Sequence, residues 1–373
     1  MREAHVHVLF LTFCKVSDTL LGYTLTKESR FCVLGVGTTK LQKSLSTAPG
    51  VLAACTVSCL LWGSAFPCVK IGYELFGIQS SDLASLIAFA GARFLLAGVM
   101  VIVGTSVASG HALVPKRRDW RAIGALSFFQ TIAQYSLFYI GLSRTSGVTS
   151  SIIEASNSLL CVLLAAIMFR TERLTSRKVL GCAVGFAGVI LVNIVGEPGA
   201  GLSFSLGGEG LVLLSTVCAA VSSNLAKGFS ADHDPVLLSG WQFALAGAVM
   251  LACGLGLGGH VAPVDPARPL PAVALLVYLG FISAAAYSLW TITLACNPVS
   301  RVAVFGFINP VAGVILSALL LGEAHVLDPV VAAIALVMVS AGIVIVNRAP
   351  QRPAKKLSAS LEARHTMAAP HEA

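Results

Sequence analysis

A repeated pattern of apolar segments constrains the fold of this chain more than any other feature. Residues 91–98 read GARFLLAG and residues 240–247 read GWQFALAG, so that five of eight positions are identical. Near the ends of the two copies, residues 187–193 (AGVILVN) correspond in the same way to residues 341–347 (AGIVIVN). If the repeated unit contains an odd number of membrane spans, its two copies must lie in the membrane with opposite orientations.

The composition indicates that most of the chain lies in a lipid bilayer and not in water. The chain is 56% hydrophobic and 11% charged, whereas soluble domains carry about 25% charged residues. The net charge of +8 does not indicate nucleic-acid binding, because the basic residues lie at the ends of apolar segments and in the two tails. Most of the ten cysteines fall inside or at the edge of apolar segments, which favours packing roles over disulfides or metal ligation. We expect no metal and no cofactor.

Ten apolar segments are close to the ~20 residues that cross a bilayer. They are residues 51–70, 83–104, 121–142, 148–169, 178–195, 209–227, 236–257, 271–294, 300–321 and 327–347. Each must be helical, because lipid offers backbone groups no hydrogen-bond partner. The sequence thus predicts an all-α integral membrane protein with about ten transmembrane helices in two inverted five-helix repeats, residues 51–195 and 209–347.

The positions of lysine and arginine predict the orientation. Basic residues are concentrated between segments 2 and 3, between segments 4 and 5, and in the C-terminal tail. The positive-inside rule places these parts, and hence both termini, in the cytoplasm of a multi-pass protein of the cell membrane. Residues 348–373 are predicted to be a disordered basic tail. Residues 1–47 are either a cytoplasmic tail or an artefact of a start codon assigned too early.

Several short motifs occur in order and are partly duplicated. They are LWGSAF at 61–66 followed by Lys70, RFLLAG at 93–98, RTERLT at 170–175, Asn309-Pro310, and LGE at 321–323. Together they resemble the EamA-type family of the drug/metabolite transporter superfamily. The resemblance implies ten helices in two inverted repeats, alternating access, and export or uptake of small metabolites. It does not imply one substrate.

Charged groups at membrane depth are the first functional candidates, because a charge there is costly unless it faces a partner or water. Arg93 could bind a substrate carboxylate or could pair with a neighbouring helix. Glu154 could carry a proton or could be the counter-ion of Arg93, and we expect the two to form an ion pair. Lys70 and Lys227 end the first helix of each repeat, where they could reach the membrane interface or act as gating charges.

Uncharged polar and aromatic residues complete the predicted site. Most polar groups at this depth bond to neighbouring helices, but some should line a cavity. The candidates for substrate binding are Asn157, Asn224, Asn309, Gln242, Trp62, Trp241 and Tyr287. Small residues on helices 5 and 10 predict a packing or dimer surface, so a homodimer is possible.

We therefore expect a secondary transporter of a small metabolite or amino acid, which exports its substrate in exchange for protons. A sugar or nucleotide-sugar carrier would require more basic residues in the cavity. A membrane-embedded enzyme would require a convergent set of catalytic side chains, but the histidines lie in loops or tails, and we expect no enzymatic activity.

Overall fold

The structure is a computed structural model. It describes residue 45 and residues 47–168, 175–195, 205–229, 232–296, 302, 304–323 and 328–347. The predictions for the tail at 348–373 and for nearly all of the N-terminal segment 1–47 lie outside this part of the chain.

Helical segments occupy all ten predicted positions, and we number them α1 to α10. Seven are continuous α-helices: α1 (Ala48–Leu75), α2 (Leu83–Ser109), α5 (Ser176–Val195), α6 (Glu209–Phe229), α7 (Pro235–Gly256), α8 (Leu270–Cys296) and α10 (Pro329–Asn347). The other three are composite: α3 (Asp119–Leu126, π-helical Ser127–Ala133 and Gln134–Leu142), α4 (Gly147–Glu154 and Ser156–Ile167) and α9 (3₁₀-helical Val304–Phe307 and Ile308–Leu321).

The protein is all-helical over the described ranges and has several spans. Seven helices there are long and apolar enough to cross a membrane: α1, α2, α4, α6, α7, α8 and α10. The prediction of an all-α multi-pass membrane protein is thereby confirmed.

Side chains cap several helix starts, where backbone N–H groups have no partner within the helix. The Thr47 hydroxyl accepts from the Gly50 amide at 3.2 Å, and the Asp82 carboxylate accepts from the Ser85 amide at 3.0 Å. Asp234 caps α7 in the same way through the amide of Val236 at 2.8 Å. These caps define where the chain leaves its loops and enters the helical bundle.

Asp119 links the start of α3 to the loop before α7. Its carboxylate lies 2.6 Å from Nδ1 of His233 and accepts a hydrogen bond from the Lys116 amide at 2.7 Å. Burial raises the pKa of Asp119, but these contacts outweigh burial, so that its pKa lies below the ordinary value. A carboxyl group with a depressed pKa stabilises the fold at neutral pH, and this contribution is lost as the pH falls through that depressed pKa.

The main helix pairs recur when the two halves are exchanged. Helices at equivalent positions pack on one another, namely α2 on α7, α4 on α9 and α5 on α10. The remaining major contacts occur in matched pairs: α1 with α8 and α6 with α3, then α1 with α9 and α6 with α4. The tertiary structure therefore repeats the duplication seen in the sequence.

Equivalent helices run antiparallel. A Cβ atom on Gly98 of α2 would overlap the backbone of Ala244 in α7, and one on Gly247 of α7 would overlap the backbone of Leu95. From Leu95 to Gly98 along α2, the contacted residue of α7 therefore changes from Gly247 back to Ala244. Glycine is required here because only a missing side chain allows two backbones to approach this closely.

The other two equivalent pairs show the same direction. Gly147 of α4 faces Ser317 of α9, whereas Ser151 of α4 faces Gly313. Gly181 of α5 faces Gly342 of α10, whereas Gly188 faces Ala335. The small residues of α5 and α10 therefore form a packing surface within one chain, and a homodimer stays a prediction. Antiparallel packing of all three pairs is the arrangement expected when two halves have opposite orientations.

We predict that Gly247→Ala destabilises the bundle by about 1–3 kcal/mol, the usual cost of inserting a methyl group into a well-packed contact. Gly104→Ala is the matched control, because Gly104 lies on α2 with no atom within 4 Å of its added Cβ. Thermal unfolding in detergent should show a lower Tm for Gly247→Ala only. Equal stability of the two variants would contradict the close α2–α7 contact.

Candidate functional site

Arg93 is the buried charge at the centre of the bundle. Helix α2 places it opposite α3 and α8, with 2% of the residue exposed. Its Nε donates to the carbonyl of Leu279 at 3.1 Å, Nη1 donates to the Tyr139 hydroxyl at 2.8 Å, and Nη2 donates to the Ser283 hydroxyl at 3.1 Å. The guanidinium group therefore joins three helices through all three of its nitrogens.

Aromatic rings surround the same charge. The Arg93 guanidinium carbon lies 5.0 Å from the ring centre of Phe94 and 5.9 Å from that of Tyr135. Such contacts stabilise a desolvated cation. The predicted Arg93–Glu154 ion pair is wrong for this conformation, because the guanidinium contacts hydroxyls, a carbonyl and rings instead. This geometry favours a structural role for Arg93 over direct binding of a substrate carboxylate.

Gln242 occupies the position in α7 that Arg93 occupies in α2. It is fully buried, and its Oε1 accepts from the Thr131 hydroxyl at 2.8 Å. Its carbonyl accepts from the Ser127 hydroxyl at 3.3 Å. Both partners belong to the π-helical stretch of α3, just as Leu279 and Ser283 belong to the equivalent helix α8. Equivalent helices are thus joined at equivalent positions, by a charged guanidinium group in one copy and by a neutral amide in the other.

Three partly accessible aromatic residues on α1 and α8 form what we call the aromatic cluster: Trp62, Tyr287 and Trp290. The ring centre of Trp62 lies 5.4 Å from that of Tyr287 at an angle of 74° and 5.3 Å from that of Trp290 at 56°. Buried Phe243 of α7 packs behind Tyr287 at 5.2 Å. Trp62 and Tyr287, both predicted site residues, are therefore brought together.

Glu154 lies next to this cluster. It ends the first part of α4, immediately before the residue that separates the two parts. Its carboxylate is close enough to Tyr135 and Tyr287 to interact electrostatically with both hydroxyls. The side chain is partly accessible, and within the described ranges it makes no hydrogen bond or ion pair.

The three predicted asparagines differ in their contacts. Asn224 donates to the carbonyls of Cys161 at 3.1 Å and Ala220 at 2.9 Å, which joins α6 to α4. Asn157 accepts a weak hydrogen bond from the Cys161 thiol at 3.5 Å. The Oδ1 atom of Asn309 is buried and has no partner among the residues that the structure describes.

Trp241 is not part of the aromatic cluster. Its indole N–H donates to the carbonyl of Leu113 at 2.7 Å, and its ring packs on that of Trp120 at 5.7 Å. Leu113 and Trp120 belong to the region where α2 connects to α3, so Trp241 lies at one end of the bundle. Its prediction as a cavity residue is wrong, and its position is that of an interfacial tryptophan.

Lys70 and Glu323 form an ion pair near the connection between α3 and α4, at the opposite end of the bundle from Trp241. The Lys70 ammonium lies 2.9 Å from Oε1 of Glu323 and also donates to the carbonyl of Thr145 at 2.8 Å. Oε2 of Glu323 accepts from the amides of Gly147 at 2.8 Å and Val148 at 3.2 Å. The end of α9 thus caps the start of α4 and holds the end of α1. The side chain of Lys227 lies outside what the structure describes.

Sequence reasoning missed Tyr139 and Ser283, the side-chain partners of Arg93. Neither residue stands out in an apolar segment. Arg93 itself was the only signal, because a buried guanidinium group requires acceptors from its neighbours.

A bundle of antiparallel, duplicated spans around buried polar groups defines a multi-pass membrane transporter. A sequence model of the EamA-like transporter family matches residues 48–194 and again residues 206–348. The chain belongs to this family, which confirms the resemblance of its motifs.

Individual relatives agree with this assignment. An uncharacterized transporter of Archaeoglobus fulgidus is 28% identical over 73% of this chain and 90% of its own length. A probable terminal-alkyne amino-acid exporter of Streptantibioticus cattleyicolor is 24% identical over 79% of this chain and 92% of its own length. A solved crystal structure has a TM-score of 0.54 at 21% identity and covers 79% of this chain and 96% of that chain, which shows a common fold.

We predict that Tyr139→Phe destabilises the protein more than Tyr278→Phe does. Tyr139 accepts a hydrogen bond from a buried charge, and its loss should cost about 1.5–3 kcal/mol. Tyr278 bonds to the neutral Ser64 hydroxyl at 2.9 Å, and loss of a neutral hydrogen bond costs about 1 kcal/mol. Thermal unfolding of both variants in one detergent provides the measurement. A smaller loss for Tyr139→Phe would contradict the structural role of Arg93.

Proposed function

We propose that this protein is a secondary transporter that moves a small metabolite or amino acid across the cell membrane by alternating access. The proposal includes ten spans in two inverted repeats, residues 51–195 and 209–347, with both termini in the cytoplasm. The antiparallel packing of equivalent helices and the two family-model matches support it. The name of the Streptantibioticus relative, an amino-acid exporter, supports this substrate class.

The proposal of proton coupling rests on Glu154. It is a partly accessible carboxylate without a partner in the described residues, on a helix that packs against α9 and α6 of the other repeat. A carboxyl group at membrane depth is stable in its charged form only when it faces water or a cation. We infer that Glu154 is ionised when the cavity is open and takes up a proton, or a cationic partner, when the cavity is closed.

The Lys70–Glu323 pair supports alternating access. It links α1 and α4 of the first repeat to α9 of the second. Opening the cavity at this end requires the two repeats to separate there, and the ion pair must then break. We therefore assign Lys70 a gating role, in addition to the interfacial role expected from its position at the end of α1.

The function can be tested with the full-length protein in liposomes. We expect a pH gradient to drive uptake of at least one substrate from a panel of amino acids. Glu154→Gln should retain exchange of that substrate across the bilayer but lose its dependence on the gradient, because an amide cannot carry the proton. Glu74→Gln, which alters an exposed carboxylate at the end of α1, should behave as the unmodified protein. Gradient-dependent uptake by Glu154→Gln would contradict the coupling role, and absence of any uptake would contradict the function.

A second prediction concerns the Lys70–Glu323 pair. Glu323→Gln keeps one acceptor for the α4 amides but removes the ion pair, so the amides near Gly147 should exchange their hydrogens faster. Asp82→Asn is the matched control, because it weakens an acidic cap on α2 without touching α4. Hydrogen exchange followed by mass spectrometry measures both regions. Unchanged exchange at the start of α4 in Glu323→Gln would show that the pair does not hold this end closed.

A further inference from the structure

We propose that the connection between α2 and α3 binds the phosphate group of an anionic phospholipid at the surface of the membrane. The binding surface is what we call the basic segment, residues 113–121, with the sequence LVPKRRDWR. The proposal does not depend on the transport function, because it concerns the rim of the bundle and not its centre.

The basic segment presents positive charge that the fold does not neutralise. Lys116, Arg117, Arg118 and Arg121 are all exposed. Arg118 lies 3.7 Å from the carboxylate of Asp119. The side chains of the other three form no ion pair or hydrogen bond with any residue that the structure describes. Three cations within six residues of sequence are therefore available to an external anion.

The carboxylate inside the segment is turned towards the protein. Asp119 is buried, lies 2.6 Å from Nδ1 of His233, and accepts from the Lys116 amide at 2.7 Å. The exposed carboxylate of Asp232, in the loop before α7, forms no ion pair with these cations in the described ranges. An anion that approaches the segment thus meets its basic side chains and not its acidic one.

Neighbouring apolar side chains indicate that the segment lies at the boundary between lipid and water. Val107 in the last turn of α2 and Val114 are each 66% exposed, which is favourable for a large apolar group only against lipid. Trp120 is 44% exposed and packs on Trp241, whose indole N–H donates to the carbonyl of Leu113. Tryptophan is enriched at the level of the lipid headgroups. The basic side chains that flank Trp120 therefore lie at the depth of the lipid phosphates.

The chemistry of these side chains selects an anionic lipid. A guanidinium group can donate two parallel hydrogen bonds to one phosphate. A basic residue beside an anionic membrane strengthens binding roughly fivefold. A zwitterionic lipid balances its phosphate with its own ammonium group, so the unpaired cations gain less from it. Because His233 and Trp241 hold the segment to the second repeat, a bound headgroup would also stabilise the contact between α3 and α7.

Titration of the full-length protein with lipids in a nonionic detergent tests the proposal. The probes are dioleoylphosphatidylglycerol and dioleoylphosphatidylcholine, which have the same acyl chains and differ in net charge. Native mass spectrometry should give phosphatidylglycerol a Kd about tenfold or more below that of phosphatidylcholine, because several basic residues contribute. Equal Kd values for the two lipids would overturn the proposal.

Variants locate the site. Arg117→Gln/Arg121→Gln should raise the Kd for phosphatidylglycerol about tenfold and leave that for phosphatidylcholine unchanged. Arg144→Gln/Arg268→Gln is the matched control, because it also removes two exposed arginines, but from the connections at the other end of the bundle. It should bind phosphatidylglycerol as the unmodified protein does. The same loss of affinity in both double variants would show a general effect of net charge and overturn the site.

Two further comparisons keep the test decisive. Arg117→Lys/Arg121→Lys should keep most of the preference for phosphatidylglycerol, because the charges are retained. If Arg117→Gln/Arg121→Gln does not fold, Lys116→Gln against Arg144→Gln makes the same comparison with one charge each. Equal affinity of these two single variants for phosphatidylglycerol would then count against the site.

Soluble anions separate the lipid from other sources of negative charge. Glycerol phosphate carries the headgroup phosphate without acyl chains, and hexaglutamate carries the carboxylates of an acidic peptide. Neither should displace phosphatidylglycerol, because the apolar neighbours of the basic segment contribute only when acyl chains are present. Displacement by glycerol phosphate would indicate a site for a free phosphate compound, and displacement by hexaglutamate would indicate an acidic protein partner. Either result would overturn the assignment to a lipid.

Discussion

The close antiparallel contact between α2 and α7 is the constraint on which the rest of the structure depends. In a bilayer, helices gain little from hiding apolar side chains, since lipid is as apolar as leucine. Association then depends on van der Waals contact and on hydrogen bonds between helices. Gly98 of α2 and Gly247 of α7 allow the two backbones to touch, and the same crossing fixes the depth of Arg93 and Gln242, which precede these glycines in each copy.

The polar side chains near this crossing form two layers. The enclosed layer consists of Arg93 with its acceptors on α3 and α8, and of Gln242 with its partners on α3. These hydrogen bonds join the two repeats, although Nε2 of Gln242 has no partner among the described residues. The second layer consists of the partly accessible side chains of Glu154 and the aromatic cluster. Groups in the first layer hold the helices together, whereas Glu154 in the second layer is the residue to which the proton-coupling proposal applies.

The sequence predicted the helices well because their signals are local. Apolar length and the repeated motifs predicted an all-helical membrane protein, and seven helices in the described ranges are long and apolar enough to cross a membrane. The cost of burying a charge identified Arg93 and Glu154. Pairwise contacts were harder to predict. Depth along two helices suggested that Arg93 and Glu154 meet, but depth does not specify the direction in which each side chain points around its helix. Trp241 was misplaced because it lies nearer the end of the bundle than its position in the apolar segment suggested. Lys70 was not matched with Glu323 because the two residues are 253 positions apart.

Equivalent positions of the two repeats differ in charge, with an arginine at position 93 and a glutamine at position 242. If two inverted repeats were identical, the inward-open and outward-open forms of the proposed cycle would be related by a two-fold rotation and would have equal free energies. Arg93 and Gln242 remove that equality, because the guanidinium group makes three hydrogen bonds to α3 and α8, whereas the amide leaves its nitrogen unbonded among the described residues. A difference of only about 1.4 kcal/mol would populate one form ten times more than the other. In the proposed alternating-access cycle, a difference of this size would favour one resting side of the empty protein.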